Sequence, residues 1–227
     1  MTTLQAVIFT GKLVGLAALL VGLVVRRGYR ACYMLAAYVV AILVPDLVFL
    51  VWPQTFFWST WIAAEIMQVG MKFALAAELG WRIFGALPGA RATLVSALLF
   101  VSLITLWTVV GTSSLVSPQA VAQAALARAL HGSAWTFGAL LSASLYFRLP
   151  MHPLHQAVLR GFVPYLLTFT VALSLLETYG PNIRVLASYG NAVAYVLLLV
   201  YWNVVAWRKA DDPQVPPEVM QKLQPWR

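Results

Sequence analysis

A single cysteine, Cys32, excludes an internal disulfide and any metal or iron–sulfur site built from several thiolates. Charge is almost as scarce. Only 10% of the residues are Asp, Glu, Lys or Arg, against roughly 25% in a soluble domain, so too few polar groups exist to cover a water-facing surface. Catalytic signatures are missing too, with no G-x-S-x-G, H-E-x-x-H, P-loop or C-x-x-C-H anywhere in the chain. These absences point away from a soluble enzyme. No metal site is expected, and no particular cofactor is indicated.

What is present is apolar: 62% of 227 residues are hydrophobic and the mean hydropathy is +0.83. Seven stretches, near 4–25, 31–52, 56–80, 92–111, 129–147, 157–177 and 185–206, approach the roughly 20 residues that cross a bilayer. Lipid offers the backbone no hydrogen-bond partners, so each is expected to be a helix. Short alternating strands of the kind that build a membrane barrel are not seen. The expected fold is all-α, a polytopic bundle of seven transmembrane helices over 1–209 with a polar, proline-rich tail at 210–227. Residues 112–128 read as an outer loop followed by a short interfacial helix.

The net charge of +8 is distributed by position. Arg26, Arg27 and Arg30 follow the first span, Arg82 and Arg91 the third, Arg148 and Arg160 the fifth, and Arg208, Lys209, Lys222 and Arg227 the last. The opposite loops carry only Arg128 and Arg184. By the positive-inside rule the N-terminus lies outside and the C-terminus in the cytoplasm of a bacterial inner membrane. The arginines read as topology determinants meeting anionic lipid headgroups, and nucleic acid is not an expected partner. The first span has no basic leader or A-x-A site and is followed by two arginines, so it reads as a retained helix. Trp52, Phe56, Phe57 and Trp58 are expected at the outer interface, and Trp81, Tyr146, Phe147, Trp202 and Trp207 at the inner one.

The third span, "WSTWIAAEIMQVGMKFALAAELGWR", holds Glu65, Gln68 and Lys72 at intramembrane depth. At 100° per residue these three, with Trp58 and Trp61, fall within an arc of about 80°. Glu65 would lie about 12 Å and Lys72 about 22 Å below the outer boundary. Helical side chains lean toward the N-terminus, so Lys72 reaches back toward Glu65 and a relay Glu65–Gln68–Lys72 is expected. Such a stripe should face protein; it reads as a ligand pocket, an ion path or a proton-relay carboxylate, or else as a structural network, with Lys72 snorkelling to the cytoplasmic headgroups as a further alternative. Glu78 sits on another face, where Arg82 at i+4 is its expected partner at the cytoplasmic interface.

Asp46, beside Pro45 in the second span, could share an outer cavity with Glu65 or cap the proline kink. Lys12 could be its counter-charge, but snorkelling outward is the stronger expectation. Glu177 is expected to pair with Arg184. His131, and His152 with His155 in "HPLH", are weighed as metal or haem ligands and read instead as ordinary residues, the last two in a loop. Ala134, Gly138 and Ser142 form a small-xxx-small ridge suited to close helix packing, and Gly11 and Gly15 repeat it more weakly. Asn191, Tyr195 and Asn203 are expected to make interhelical hydrogen bonds. A rhodopsin-like pigment is excluded, because 185–207 contains no lysine to carry it.

The runs "FFWSTWIAAE" and "ALAAELGWRIF" resemble a group of small bacterial seven-helix membrane proteins that have an aromatic-Trp start to the third helix and two glutamates along it. Glu65 and Glu78 match those positions, over a likeness spanning about residues 26–110. The resemblance implies that the two glutamates are a group feature and carries no function with it. The favoured expectation is a non-enzymatic subunit or binding partner in a larger membrane assembly, or a sensor acting through such a partner. The rival is a small-solute or proton-coupled transporter using Asp46, Glu65 and Lys72. A third reading is a pigment- or quinone-binding protein.

Overall fold

The computed structural model describes residues 3–84, 118–146, 149 and 151–208. The span expected at 92–111, the tail 210–227, and Arg91, Phe147, Arg148 and Lys209 lie outside these residues. So do the side chains of Glu177 and Arg184, expected as a pair.

All six long elements are helices: α1 Thr3–Val25, α2 Tyr33–Val51, α3 Trp58–Phe84, α4 Pro118–Tyr146, α5 Pro153–Tyr179 and α6 Arg184–Trp207. Four segments, α1, α2, Pro153–Leu176 of α5 and Val185–Trp207 of α6, are long and apolar enough to cross a membrane. The chain is an all-α, multi-pass membrane-type protein. At 27 residues, α3 is about 40 Å long, but Glu65, Lys72, Glu78 and Arg82 leave it more polar than those four.

Two helix starts differ from expectation for local reasons. α4 begins at Pro118 and continues through Arg128, with no break between an interfacial helix and a span. The run "AVAQAALARAL" is rich in strong helix formers, and proline is tolerated in a first turn. α5 likewise begins at Pro153, so "HPLH" is a helix start and not a loop. His152 is the N-cap, its Nδ1 accepting the Leu154 N–H at 3.2 Å, and His155 and Arg160 are helical.

The helices pack as a ring, α1 on α2, α2 on α3, α3 on α4, α4 on α5, α5 on α6 and α6 back on α1. α1, α3, α4 and α6 end, and α2 and α5 begin, at one end of the bundle, where the arginines gather. The interior is filled by Leu16, Leu19, Leu35, Leu75, Leu79 and an aromatic stack. Phe137 of α4 lies flat on Phe162 of α5, with centroids 4.7 Å apart at 8°. Tyr38 and Trp202 close on Phe162 at 5.5 and 5.0 Å. Trp202 was expected at the inner interface; instead it is fully buried and donates Nε1–H to the Ala157 carbonyl at 3.2 Å. An indole that finds a carbonyl partner can enter a core as readily as an interface.

Close approach of helices depends on Gly161 and Gly22. A Cβ on Gly161 would come within 2.7 Å of Leu198 Cδ1 and 2.9 Å of Trp202 Nε1, and one on Gly22 within 2.9 Å of Trp207 Nε1. Gly15 is snug against Leu199 at 3.3 Å, whereas a Cβ on Gly11 would meet nothing. On the ridge expected in α4, Ala134 packs on the core and Ser142 is exposed. A Cβ on Gly138 would meet nothing among the described residues.

The outer surface is apolar as well as the core, unlike that of a soluble bundle. Val14, Val44, Ile66, Val171 and Leu197 face outward, while Lys72, Ser133, Thr136, Ser144 and His155 are buried. Helix hydroxyls inside bond their own backbone, as Ser133 Oγ does to the Leu130 carbonyl at 2.7 Å, which removes their need for water.

Candidate functional site

Four ionisable groups from three helices converge in the bundle, away from its arginine-rich end. Lys12 of α1 reaches Asp46 of α2, with Nζ 2.6 Å from Oδ2. The ammonium also lies 5.9 Å from the centre of the Tyr195 ring in α6. The expectation that Lys12 snorkels outward is therefore corrected. A carboxylate within reach, placed by α2 beside Pro45, holds the ammonium more strongly than partial hydration would. The contact is ionic without good hydrogen-bond alignment, since Asp46 Oδ2 is buried and has no hydrogen-bond partner among the described residues.

Glu65 lies within electrostatic reach of Lys72, Lys12 and Asp46. Lys72 is only 7% exposed. Gln68 and Trp61 are half-buried on the same side of α3. The direct relay expected through Gln68 is not made: among the described residues no hydrogen bond or ion pair joins Glu65, Gln68 and Lys72. The two charges are separated by about 10 Å of helix axis, more than their side chains close in these conformers.

Across from them stand polar groups of α5 and α6. Tyr165 lies beside Asn191, and its ring lies 5.4 Å from that of Tyr195. The Tyr195 hydroxyl and Asn191 Oδ1 are buried without a hydrogen-bond partner among the described residues. Most buried polar atoms in native proteins are paired, so these orphaned atoms, beside the Lys12–Asp46 pair and across from Glu65, mark a place where a further group could bind. Sequence reasoning had named Asn191 and Tyr195 only as helix glue and had missed Tyr165, which looks apolar in "VPYLLTF". Asn203 does act as glue, donating Nδ2–H to the Gly15 carbonyl of α1 at 2.9 Å.

The second glutamate of α3 is used quite differently. Glu78 pairs with Arg82 at 2.8 Å, and it also crosses to α2. Its Oε1 accepts the Tyr33 N–H at 3.0 Å and its Oε2 the Met34 N–H at 2.6 Å, with the Cys32 thiol donating at 3.4 Å. A carboxylate from one helix thus caps the N-terminus of another, where unpaired N–H groups and the helix dipole favour negative charge. Burial, and then the adjacent carboxylate, push the Cys32 thiol well above its ordinary pKa. Arg82 completes the group with its guanidinium 5.4 Å from the Tyr33 ring. The Glu78–Arg82 pair was legible from the i,i+4 spacing, whereas the cap was not.

The histidines are similarly occupied. His131 Nδ1 meets the Ala127 carbonyl of its own helix at 2.7 Å, and His155 Nε2 meets the Ala31 carbonyl at 2.6 Å, tying α5 to the α1–α2 turn. Among the described residues no three His, Cys, Asp or Glu side chains are grouped as a metal site would need.

Comparisons with known protein families, with curated proteins and with solved structures find no match to this chain.

Proposed function

We propose that this is a non-enzymatic carrier of the bacterial inner membrane that binds a small charged solute or a proton at Glu65 and Lys72. In this reading α3 and the segment 92–111 also cross the bilayer, making seven spans. The N-terminus is outside and the arginine-rich end cytoplasmic, in keeping with the positive-inside rule. One observation carries the proposal. Asp46 is neutralised by Lys12 at 2.6 Å, while Glu65 and Lys72 have no direct ionic or hydrogen-bonded partner among the described residues. An acid and a base left unmatched in a low-dielectric interior are costly unless something binds between them. A proton, or a solute carrying both charges, would relieve both.

The test is flux in proteoliposomes loaded with a pH-sensitive dye, together with thermal stabilisation by a panel of amino acids and small amines. Activity that disappears in Glu65→Gln and Lys72→Met, with the fold retained, supports the carrier. Full activity in both variants refutes it.

A second reading, a subunit of a larger membrane assembly, is favoured by the ridge on α4. Gly138 is open and Ser142 exposed among the described residues, which suits contact with a further helix. Copurification of a stoichiometric partner from native membranes, lost in Gly138→Leu, would support it. The pigment or quinone reading gains nothing from the aromatic cluster, whose rings stack on one another as a packed core uses them.

A further inference from the structure

The arginine-rich end forms a half-open cavity of about 1380 Å³, larger than a typical small-ligand pocket. Its wall brings together Arg26, Arg27 and Arg30 of the α1–α2 turn, Arg82 at the end of α3 and Arg208 after α6, with no Asp or Glu among its described lining residues. Arg82 is matched by Glu78, both of whose oxygens are taken. The guanidiniums of Arg26, Arg27, Arg30 and Arg208 have no ion-pair partner among the described residues. Threading by positive charge requires arginines at this end but does not require them to face one concave space from three separated stretches of chain.

The turn is also held in place. Arg27 has φ 56°, a left-handed conformation that glycine adopts far more easily. It is fixed by hydrogen bonds from its N–H to the Val24 carbonyl at 3.1 Å and from the Arg30 N–H to its own carbonyl at 3.0 Å. His155, on the same cavity wall, fastens the end of the turn through Ala31. Beneath the arginines the floor is apolar, with Leu23, Leu154, Ala157 and Val205.

We propose that this vestibule binds a phosphate-bearing anion, its oxygens held by Arg26, Arg27 and Arg208. Guanidinium forks match phosphate geometry in two-point contacts, and an anion relieves the mutual repulsion of four arginines that have no ion-pair partner among the described residues. The headgroup of an anionic phospholipid and a soluble phosphorylated compound present the same chemistry to the site, so the experiment separates them.

The purified full-length chain is placed in nanodiscs of phosphatidylcholine alone or with cardiolipin. Pyrophosphate binding is followed by thermal stabilisation, and lipid retention by native mass spectrometry. The variants are Arg27→Gly, which suits the left-handed backbone and should fold at least as well, and Arg26→Gln/Arg27→Gly. Saturable binding of either probe, weakened about tenfold for each arginine removed, supports the site. Pyrophosphate binding in phosphatidylcholine assigns a soluble ligand, and selective retention of cardiolipin assigns a lipid headgroup. The proposal is overturned if neither probe binds, if chloride at equal ionic strength matches pyrophosphate, or if the double variant binds as well as the parent.

Discussion

Glu65 and Glu78 lie on one helix, thirteen residues apart in the sequence, and meet opposite circumstances. Glu78 receives two backbone N–H groups, a guanidinium and a thiol. Glu65 has charged neighbours at a distance and no direct partner among the described residues. Where a buried carboxylate is saturated with hydrogen bonds, its role is to fix one helix against another. Where it has no direct partner among the described residues, as at Glu65, the fold gains no such tie from it. The pairing of each group, more than its depth or charge, separates scaffold from site.

The largest expected effect tests the scaffold half of this contrast. Glu78→Ala strips the cap from α2 and frees Arg82, leaving two N–H groups and a guanidinium without partners. It should destabilise the bundle by about 3 kcal/mol, measured by unfolding in detergent micelles. The Cys32 thiol should react faster with maleimide at fixed pH, because the thiolate is the reactive form. Opening the cap exposes the thiol, and removing the carboxylate lessens the cost of its charge. Unchanged stability and unchanged labelling would place Glu78 with Glu65 and dissolve the contrast.

Lys12 and Asp46 stand between the extremes, joined to each other but to little else. Lys12→Met should cost about 2 kcal/mol by leaving the Asp46 carboxylate buried and unmatched. The double variant Lys12→Met/Asp46→Asn should recover part of that loss. A double-mutant cycle is expected to give a coupling of about 1 kcal/mol, since both side chains retain some exposure (27% and 16%). Zero coupling would mean that the short contact does no work for the fold, and Asp46 would then join Glu65 as a group held open.

Much of the frame was readable from sequence, because a helix in lipid declares itself locally. Length and apolarity located α1, α2, α3, α5 and α6 to within a few residues, and the i,i+4 rule located the Glu78–Arg82 pair. What escaped depended on distant partners. Nothing near Glu78 says that Tyr33 and Met34 will stand opposite, and nothing near Trp202 distinguishes a core indole from an interfacial one until Ala157 supplies a carbonyl. The Glu65 stripe was visible as a stripe, but the relay along it failed because spacing along one helix cannot report what the neighbouring helices offer. Tyr165 and Asn191 complete that site from α5 and α6, and neither signals it in its own segment.

The smallest stability effect is the most informative one. A carboxylate that contributes little to the fold can be replaced by its neutral isostere with little loss, and one that is buried without a direct partner can be replaced with a gain. Glu65→Gln is therefore expected to shift unfolding by less than about 0.5 kcal/mol, or to stabilise slightly, because the amide has no desolvated charge to keep. Lys72→Met should behave alike, since a thioether of similar length fills the space and removes an unmatched ammonium. Measured beside Glu78→Ala in the same detergent, the pair of glutamates should differ by several-fold in cost. If Glu65→Gln instead unfolds the bundle as severely as Glu78→Ala, then Glu65 is held by contacts formed in the membrane and the stripe is structural. If it folds normally and loses proton or solute activity, the open carboxylate is where the protein does its work.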